Sequence, residues 1–172
     1  ALDRGEFKIW MQPKYDLKTH KTVGAEALVR WDSAELGFVM PEDFIQLFES
    51  NSSVYNLDYY VLNAVCAFQR KRIDQGLKVL PVSVNQSGTH LKEVTYLRRM
   101  KLIADRYNLP DGCVDLEIVE NNALPPPNDE KAIADSKLIF DGLQDLKFNL
   151  TVSDLWSGYA SMIMMQNSKI QT

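Results

Sequence analysis

The chain predicts an α/β fold built around a largely parallel sheet. Two observations carry this expectation. Strand-like runs with a period of two alternate with segments whose apolar residues recur at helical spacing. In addition, each strand-like run separates polar from apolar residues by alternation, so one face of the sheet is marked for packing under helices and the other for a different use. At 172 residues, the chain suits one domain that buries about 70% of its unfolded surface.

The elements follow in order. Residues 7–15 and 22–31 read as two strands joined by a turn around Lys18-Thr19-His20-Lys21. That connection is too short for a crossover helix, so the pair is expected to be antiparallel. Residues 41–49 read as a short helix with Pro41 in its first turn, where the missing N–H costs nothing. Leu57, Val61, Val65 and Phe68 recur at helical spacing and place a longer helix through about residue 72. A strand over 80–86 precedes a helix carrying Leu97, Met100, Ala104 and Tyr107. A further strand covers 114–120. Pro125-Pro126-Pro127-Asn128 then breaks the chain before a helix carrying Ala132, Ser136, Phe140 and Leu143. A strand over 148–154 closes the series.

Composition narrows the function. Hydrophobic residues make up 45% and charged residues 24%, as in ordinary globular domains. The net charge of -4 leaves no basic excess to displace phosphate counterions, which argues against a nucleic-acid polymer as partner. The clusters Arg70-Lys71-Arg72 and Arg98-Arg99 fall in helical patterns and read as solvated faces. No run of about 18 apolar residues is present, so no membrane-spanning segment is expected. Cys66 and Cys113 sit among apolar neighbours and read as buried free thiols of a reducing compartment, which points to the cytoplasm. His20 and His90 are too isolated for a histidine-based metal site.

The most informative stretch is Val23-Gly24-Ala25-Glu26-Ala27-Leu28-Val29-Arg30-Trp31. An acid and a base interrupt an otherwise apolar run, where charge is costly unless it is paired or used. Alternation puts Glu26, Leu28 and Arg30 on one face and Ala25, Ala27 and Val29 on the other. A structural ion pair and a metal-and-phosphate site both satisfy this pattern. The other strands extend it. Lys8, Trp10 and Gln12 oppose Phe7, Ile9 and Met11; Ser83 and Asn85 oppose Val82 and Val84. Asp115 and Glu117 oppose Leu116 and Ile118, and Asn149, Thr151 and Ser153 oppose Phe148, Leu150 and Val152.

A half-exposed antiparallel sheet would explain such polar faces, but the intervening helices favour a βα barrel whose lumen collects them. Glu26, Asn85, Glu117 and Asp154 then occupy late-strand positions, where a barrel places its site. These are hard oxygen ligands, suited to magnesium or manganese. Arg30 suits a phosphate, held in a bidentate fork. The set points to metal-assisted phosphodiester chemistry.

At this point the sequence resembles the EAL-domain family, the bacterial phosphodiesterases that cleave the second messenger cyclic di-GMP. The landmarks run in order through Met11-Gln12-Pro13, Glu26-Ala27-Leu28-Val29-Arg30-Trp31, Gly37 to Phe44, Pro81-Val82-Ser83-Val84-Asn85, Leu116-Glu117-Ile118-Val119-Glu120 and Ser153-Asp154-Leu155-Trp156-Ser157-Gly158-Tyr159. The resemblance implies a TIM-type barrel with an antiparallel first strand, in agreement with the hairpin read above. It implies that Glu26, Asn85 and Glu117 are metal ligands, that Gln12, Leu28 and Arg30 contact the cyclic dinucleotide, and that Glu120 supports structure. It also implies two divalent cations, a water attacking one phosphodiester bond, and linear pGpG as product.

Two departures from the family pattern stand out. Where the family has Asp-Asp-Phe-Gly-Thr-Gly, this chain has Ser153-Asp154-Leu155-Trp156-Ser157-Gly158. Ser153 replaces the carboxylate expected to bridge both cations, which sit about 3.5–4 Å apart and need shared anions to offset their repulsion. Asp154 remains, as one flanking acid. Trp156 stands in for a small glycine in a loop that the family uses near its site and its homodimer contact. Second, the chain stops before the family's Lys-Ile-Asp strand, and a TIM-type barrel takes about 250 residues. The expected domain is therefore 1–172 of an EAL domain truncated on its C-terminal side, with the last strands absent and with a GGDEF or sensory domain in a larger protein. Three functions are expected to compete: a phosphodiesterase with a degenerate centre, a non-catalytic cyclic di-GMP receptor, and a protein-binding regulatory module without nucleotide.

Overall fold

A computed structural model of the protein describes residues 1–93, 95–119 and 128–153. Among them lie β1 (Phe7–Tyr15), β2 (Thr22–Ser33), β3 (Gly37–Val39), α1 (Pro41–Ser50), α2 (Val54–Asp74), β4 (Val82–Ser87), α3 (Tyr96–Tyr107), β5 (Val114–Val119), α4 (Glu130–Asp145) and β6 (Asn149–Ser153). The strands form a six-stranded sheet in the order β1-β2-β4-β5-β6, with β3 paired to β2. The chain divides into two units, Ala1–Val84 and Asn85–Thr172.

In the first unit, β1 and β2 pair antiparallel from Phe7↔Trp31 to Tyr15↔Thr22, as the short connection requires. The turn is fixed by Asp16, whose carboxylate accepts from the backbone N–H groups of Lys18 and Thr19 at 2.8 and 2.6 Å. These bonds hold the Asp16 carboxyl below its ordinary range, the Thr19 backbone bond foremost. The apolar face of the ribbon is covered by α1 and α2. Phe7 stacks on Trp31 at 5.5 Å between ring centroids and meets Phe44 edge-on at 5.7 Å. Phe7, Phe44 and Leu57 form the buried centre, with Val29 and Phe48 packed against it. The helix α1 starts at Pro41, as expected, with Glu42 and Asp43 favourably placed in its first turn.

β4 runs parallel to β2, with Ala25↔Val82, Glu26↔Ser83 and Ala27↔Val84 in register. The strand expected from residue 80 begins instead at Val82. Pro81 has no N–H for a ladder, yet its carbonyl still accepts from Ala25 N at 3.0 Å. Gly24 allows that approach: a Cβ there would lie 2.9 Å from the Pro81 carbonyl oxygen. Gln69, almost fully buried, closes the corner by donating to the Leu80 carbonyl at 2.7 Å.

In the second unit, β5 and β6 are parallel from Asp115↔Asn149 to Val119↔Ser153. α4 packs on α3 and β6. Asp129 caps α4 by accepting from Ala132 N at 2.9 Å, and Asn108 ends α3 in the left-handed conformation. Tyr96, Met100, Leu116, Ile118, Phe140, Leu143 and Leu150 are buried. Cys66 and Cys113 are both buried and outside any disulfide, as expected. No helix among the described residues is long and apolar enough to cross a membrane.

Candidate functional site

The ribbon of β1 and β2 carries the first part of the site. Its register sets Gln12 directly across from Glu26, Trp10 across from Leu28, and Lys8 across from Arg30. Because successive side chains alternate across a strand, these six share the face opposite the aromatic packing around Phe7 and Trp31. Glu26, Leu28 and Arg30 are half-buried, whereas Lys8, Trp10 and Gln12 are exposed. The four expected site residues of this unit, Gln12, Glu26, Leu28 and Arg30, are therefore brought onto one surface.

Arg30 is held from two sides. Its Nη1 donates to the Val29 carbonyl at 2.8 Å, and its guanidinium carbon lies 5.7 Å from the centroid of the Trp10 ring. A guanidinium over an indole is drawn by the ring's negative face, which restricts an otherwise mobile side chain.

A further residue of this surface is absent from the expectations. Lys14 continues the Lys8, Trp10, Gln12 alternation and donates from Nζ to Ser83 Oγ at 2.6 Å. It lies across from Gly24, which has no side chain, and reaches the strand beyond, to the residue in register with Glu26. An ammonium thus sits one step along the surface from the Glu26 row. The alternation itself was the available signal, but a strand lysine reads as solvated until the third strand is in place.

The second unit carries Asn85 on β4 and Glu117 on the neighbouring β5, both half-buried. Glu117 is in register with Thr151, and Val119 with Ser153. Asp115, on the Glu117 face, accepts from Asn149 Nδ2 at 2.8 Å. Ser153 is the last residue of β6, where the family motif begins. Asp154, Trp156 and Glu120 lie outside the described residues.

The chemistry of the donors fits a hard divalent cation: Glu26, Asn85 and Glu117 offer two carboxylates and one amide oxygen, with no sulfur or imidazole. Among the described residues, no three His, Cys, Asp or Glu side chains converge on one point.

Parallel strand pairs alternating with helices, led by one antiparallel ribbon, are the frame of an α/β domain. The EAL domain family model matches residues 1–172, and the chain belongs to that family. It is 32% identical over 163 residues to the uncharacterized protein Rv1357c of Mycobacterium tuberculosis, covering 94% of this chain and 51% of that protein. It is 27% identical over 164 residues to the cyclic di-GMP phosphodiesterase PA2567 of Pseudomonas aeruginosa, covering 95% of this chain and 27% of that protein. The chain thus spans about half the length, or less, of these curated relatives.

Among solved structures it resembles the phosphodiesterase PaMucR in complex with c-di-GMP, with a TM-score of 0.81, 25% identity, and coverage of 96% of this chain and 65% of that one. The FimX EAL domain of Pseudomonas aeruginosa, bound to c-di-GMP, superposes with a TM-score of 0.74 at 17% identity over 99% of this chain and 66% of that one, a likeness of fold. The fold is accordingly the TIM-like barrel of EAL domains, of which these residues form an incomplete part.

Proposed function

We propose that this is an EAL-type cyclic di-GMP phosphodiesterase domain of a bacterial signalling protein whose hydrolytic centre is degenerate and whose nucleotide surface is retained. One observation carries the reading: the β1–β2 register gathers Gln12, Leu28 and Arg30, the family's nucleotide-contact positions, on the same face as Glu26. Gln12 presents amide hydrogen-bonding groups, Leu28 an apolar contact, and Arg30 a planar cation for a phosphate.

Glu26, Asn85, Glu117 and Asp154 would hold magnesium or manganese. When bound, such ions activate water and offset charge on the phosphodiester. Ser153 is the weakness of that set. A neutral hydroxyl in place of a bridging carboxylate removes the anion that offsets repulsion between two cations. Hydrolysis to linear pGpG should suffer far more than binding, since the β1–β2 contacts do not involve Ser153.

A receptor role without metal is the second reading, favoured by the same retained contacts. A protein-binding module is the third, motivated by Trp156 in place of the family's glycine and by the incomplete barrel. A GGDEF or sensory domain in the same protein, a homodimer and a cytoplasmic setting belong to this proposal. It draws support from the bifunctional diguanylate cyclase/cyclic di-GMP phosphodiesterase MucR of Pseudomonas aeruginosa, 25% identical over 166 residues.

The test is calorimetric titration of the protein carrying this domain with cyclic di-GMP, in manganese and again in EDTA, with chromatography for pGpG. Binding of similar strength in both buffers, without pGpG, is expected. Manganese-dependent pGpG formation would overturn the degenerate centre. Absence of binding by the folded protein in either buffer would overturn the nucleotide reading in favour of a protein-binding module.

A further inference from the structure

We propose that Trp10 is a base-stacking platform, so that a purine of the bound nucleotide lies on its indole while the adjoining phosphate meets Arg30. The inference rests on the nucleotide-binding reading above and adds to it a specificity-determining residue on β1.

Trp10 does not behave as a packing residue. It is 59% exposed, whereas Phe7 on the same strand is 2% exposed. The two differ by an odd number of positions, so alternation sends Phe7 under the helices and Trp10 to the opposite surface. Exposure alone would say little, since single apolar side chains at a surface are ordinary; the groups around the ring carry the inference.

The neighbours of the ring define what it would contact. Leu28 is directly across from it, and Gln12 is the next residue of the same face along β1. Arg30 stands diagonally across, with its guanidinium carbon 5.7 Å from the ring centroid. Lys8, across from Arg30, adds a second cation on the side away from Gln12. The order along the ribbon is therefore amide, aromatic plane, then two positive charges.

A ligand matching that order has a planar aromatic group joined to an anion, which describes a purine nucleotide. Arg30 lies over one side of the indole, and the exposure of Trp10 leaves the other to solvent. Guanidinium and base can therefore engage the ring together. Stacking of this type tolerates any base with a π-face, so Trp10 would favour purines through overlap area, while Gln12 would read the base edge.

The experiment compares cyclic di-GMP binding by the unaltered protein with Trp10→Ala and Trp10→Phe, together with thermal melts of all three. Loss of one base stack should weaken Trp10→Ala by about tenfold or more. Trp10→Phe, which keeps an aromatic plane, should stay within a few-fold of the unaltered protein, and all three should melt alike. Unaltered protein that binds while Trp10→Ala binds equally well would overturn the platform and leave the nucleotide reading intact. Equal weakening of both variants with lowered melting temperatures would assign Trp10 to packing and also overturn it. Absence of binding by the unaltered protein would overturn the nucleotide reading, and the platform with it.

Discussion

At the residue scale, alternation made the β1–β2 surface legible, because each position has one neighbour pattern and only two faces to choose from. A count of two sorted Glu26, Leu28 and Arg30 onto one face of their strand and Gln12 onto the polar face of its own, while the choice of Gln12 and Leu28 as site residues came from the resemblance to the EAL family. Lys14 needed the third strand, since its contact with Ser83 joins residues 69 positions apart. Glu6 was equally invisible. It is 7% exposed and accepts from Arg4 Nε at 2.5 Å and Trp31 Nε1 at 2.9 Å. The Arg4 hydrogen bond, then that of Trp31, holds its carboxyl below the ordinary 4.5. A lowered folded-state pKa means that this stabilisation is present above pH 4.5 and is lost as pH falls through the folded value. Melting temperature should therefore drop on acidification below that point, and Glu6→Gln should remove part of the drop; an identical acid profile for the variant would refute the linkage. At the altered motif, Ser153→Asp should raise manganese-dependent pGpG formation by about tenfold or more in the full protein, through restored sharing of the metal pair. If chromatography detects no gain, the defect lies elsewhere.

At the scale of elements, long periodic segments were readable and short ones were not. The helix α2 was placed from four apolar positions, yet it extends from Val54 to Asp74, beyond both limits those positions suggest. β3 has only three residues, too few to display a period, and it exists because β2 supplies a partner edge through Trp31↔Val39 to Ser33↔Gly37. The start of β4 was misplaced because Pro81 is apolar but cannot donate. That junction yields a prediction. Gly24→Ala would press a Cβ to 2.9 Å from the Pro81 carbonyl oxygen, a backbone atom that cannot swing away. Overpacking of this kind costs about 1–3 kcal/mol, readable as a lower urea midpoint; an unchanged midpoint would show that the β2–β4 start relaxes freely. At α4, Asp129→Ala removes the cap on Ala132 N and should cost about 1 kcal/mol by the same denaturation.

At the scale of the whole molecule, the expectation of a largely parallel sheet with an antiparallel first pair rested on connection lengths; β2–β4 and β5–β6 are parallel and β1–β2 is antiparallel, but the short β3 adds a second, unforeseen antiparallel pair with β2. Chain ends of the sheet were harder to foresee, because closure depends on partners rather than on local pattern. Among the described residues, β1 and β6 stand at the two ends of the strand order. The first ribbon holds a consequence for descent as well as for stability. Odd-numbered residues of β1 share the face that Phe7 buries under the helices, and even-numbered ones from Lys8 to Lys14 share the opposite surface. Two scripts are thus interleaved on one strand, and a lineage can revise the second without misspelling the first. A domain built this way can change what its outward surface meets and go on folding as before.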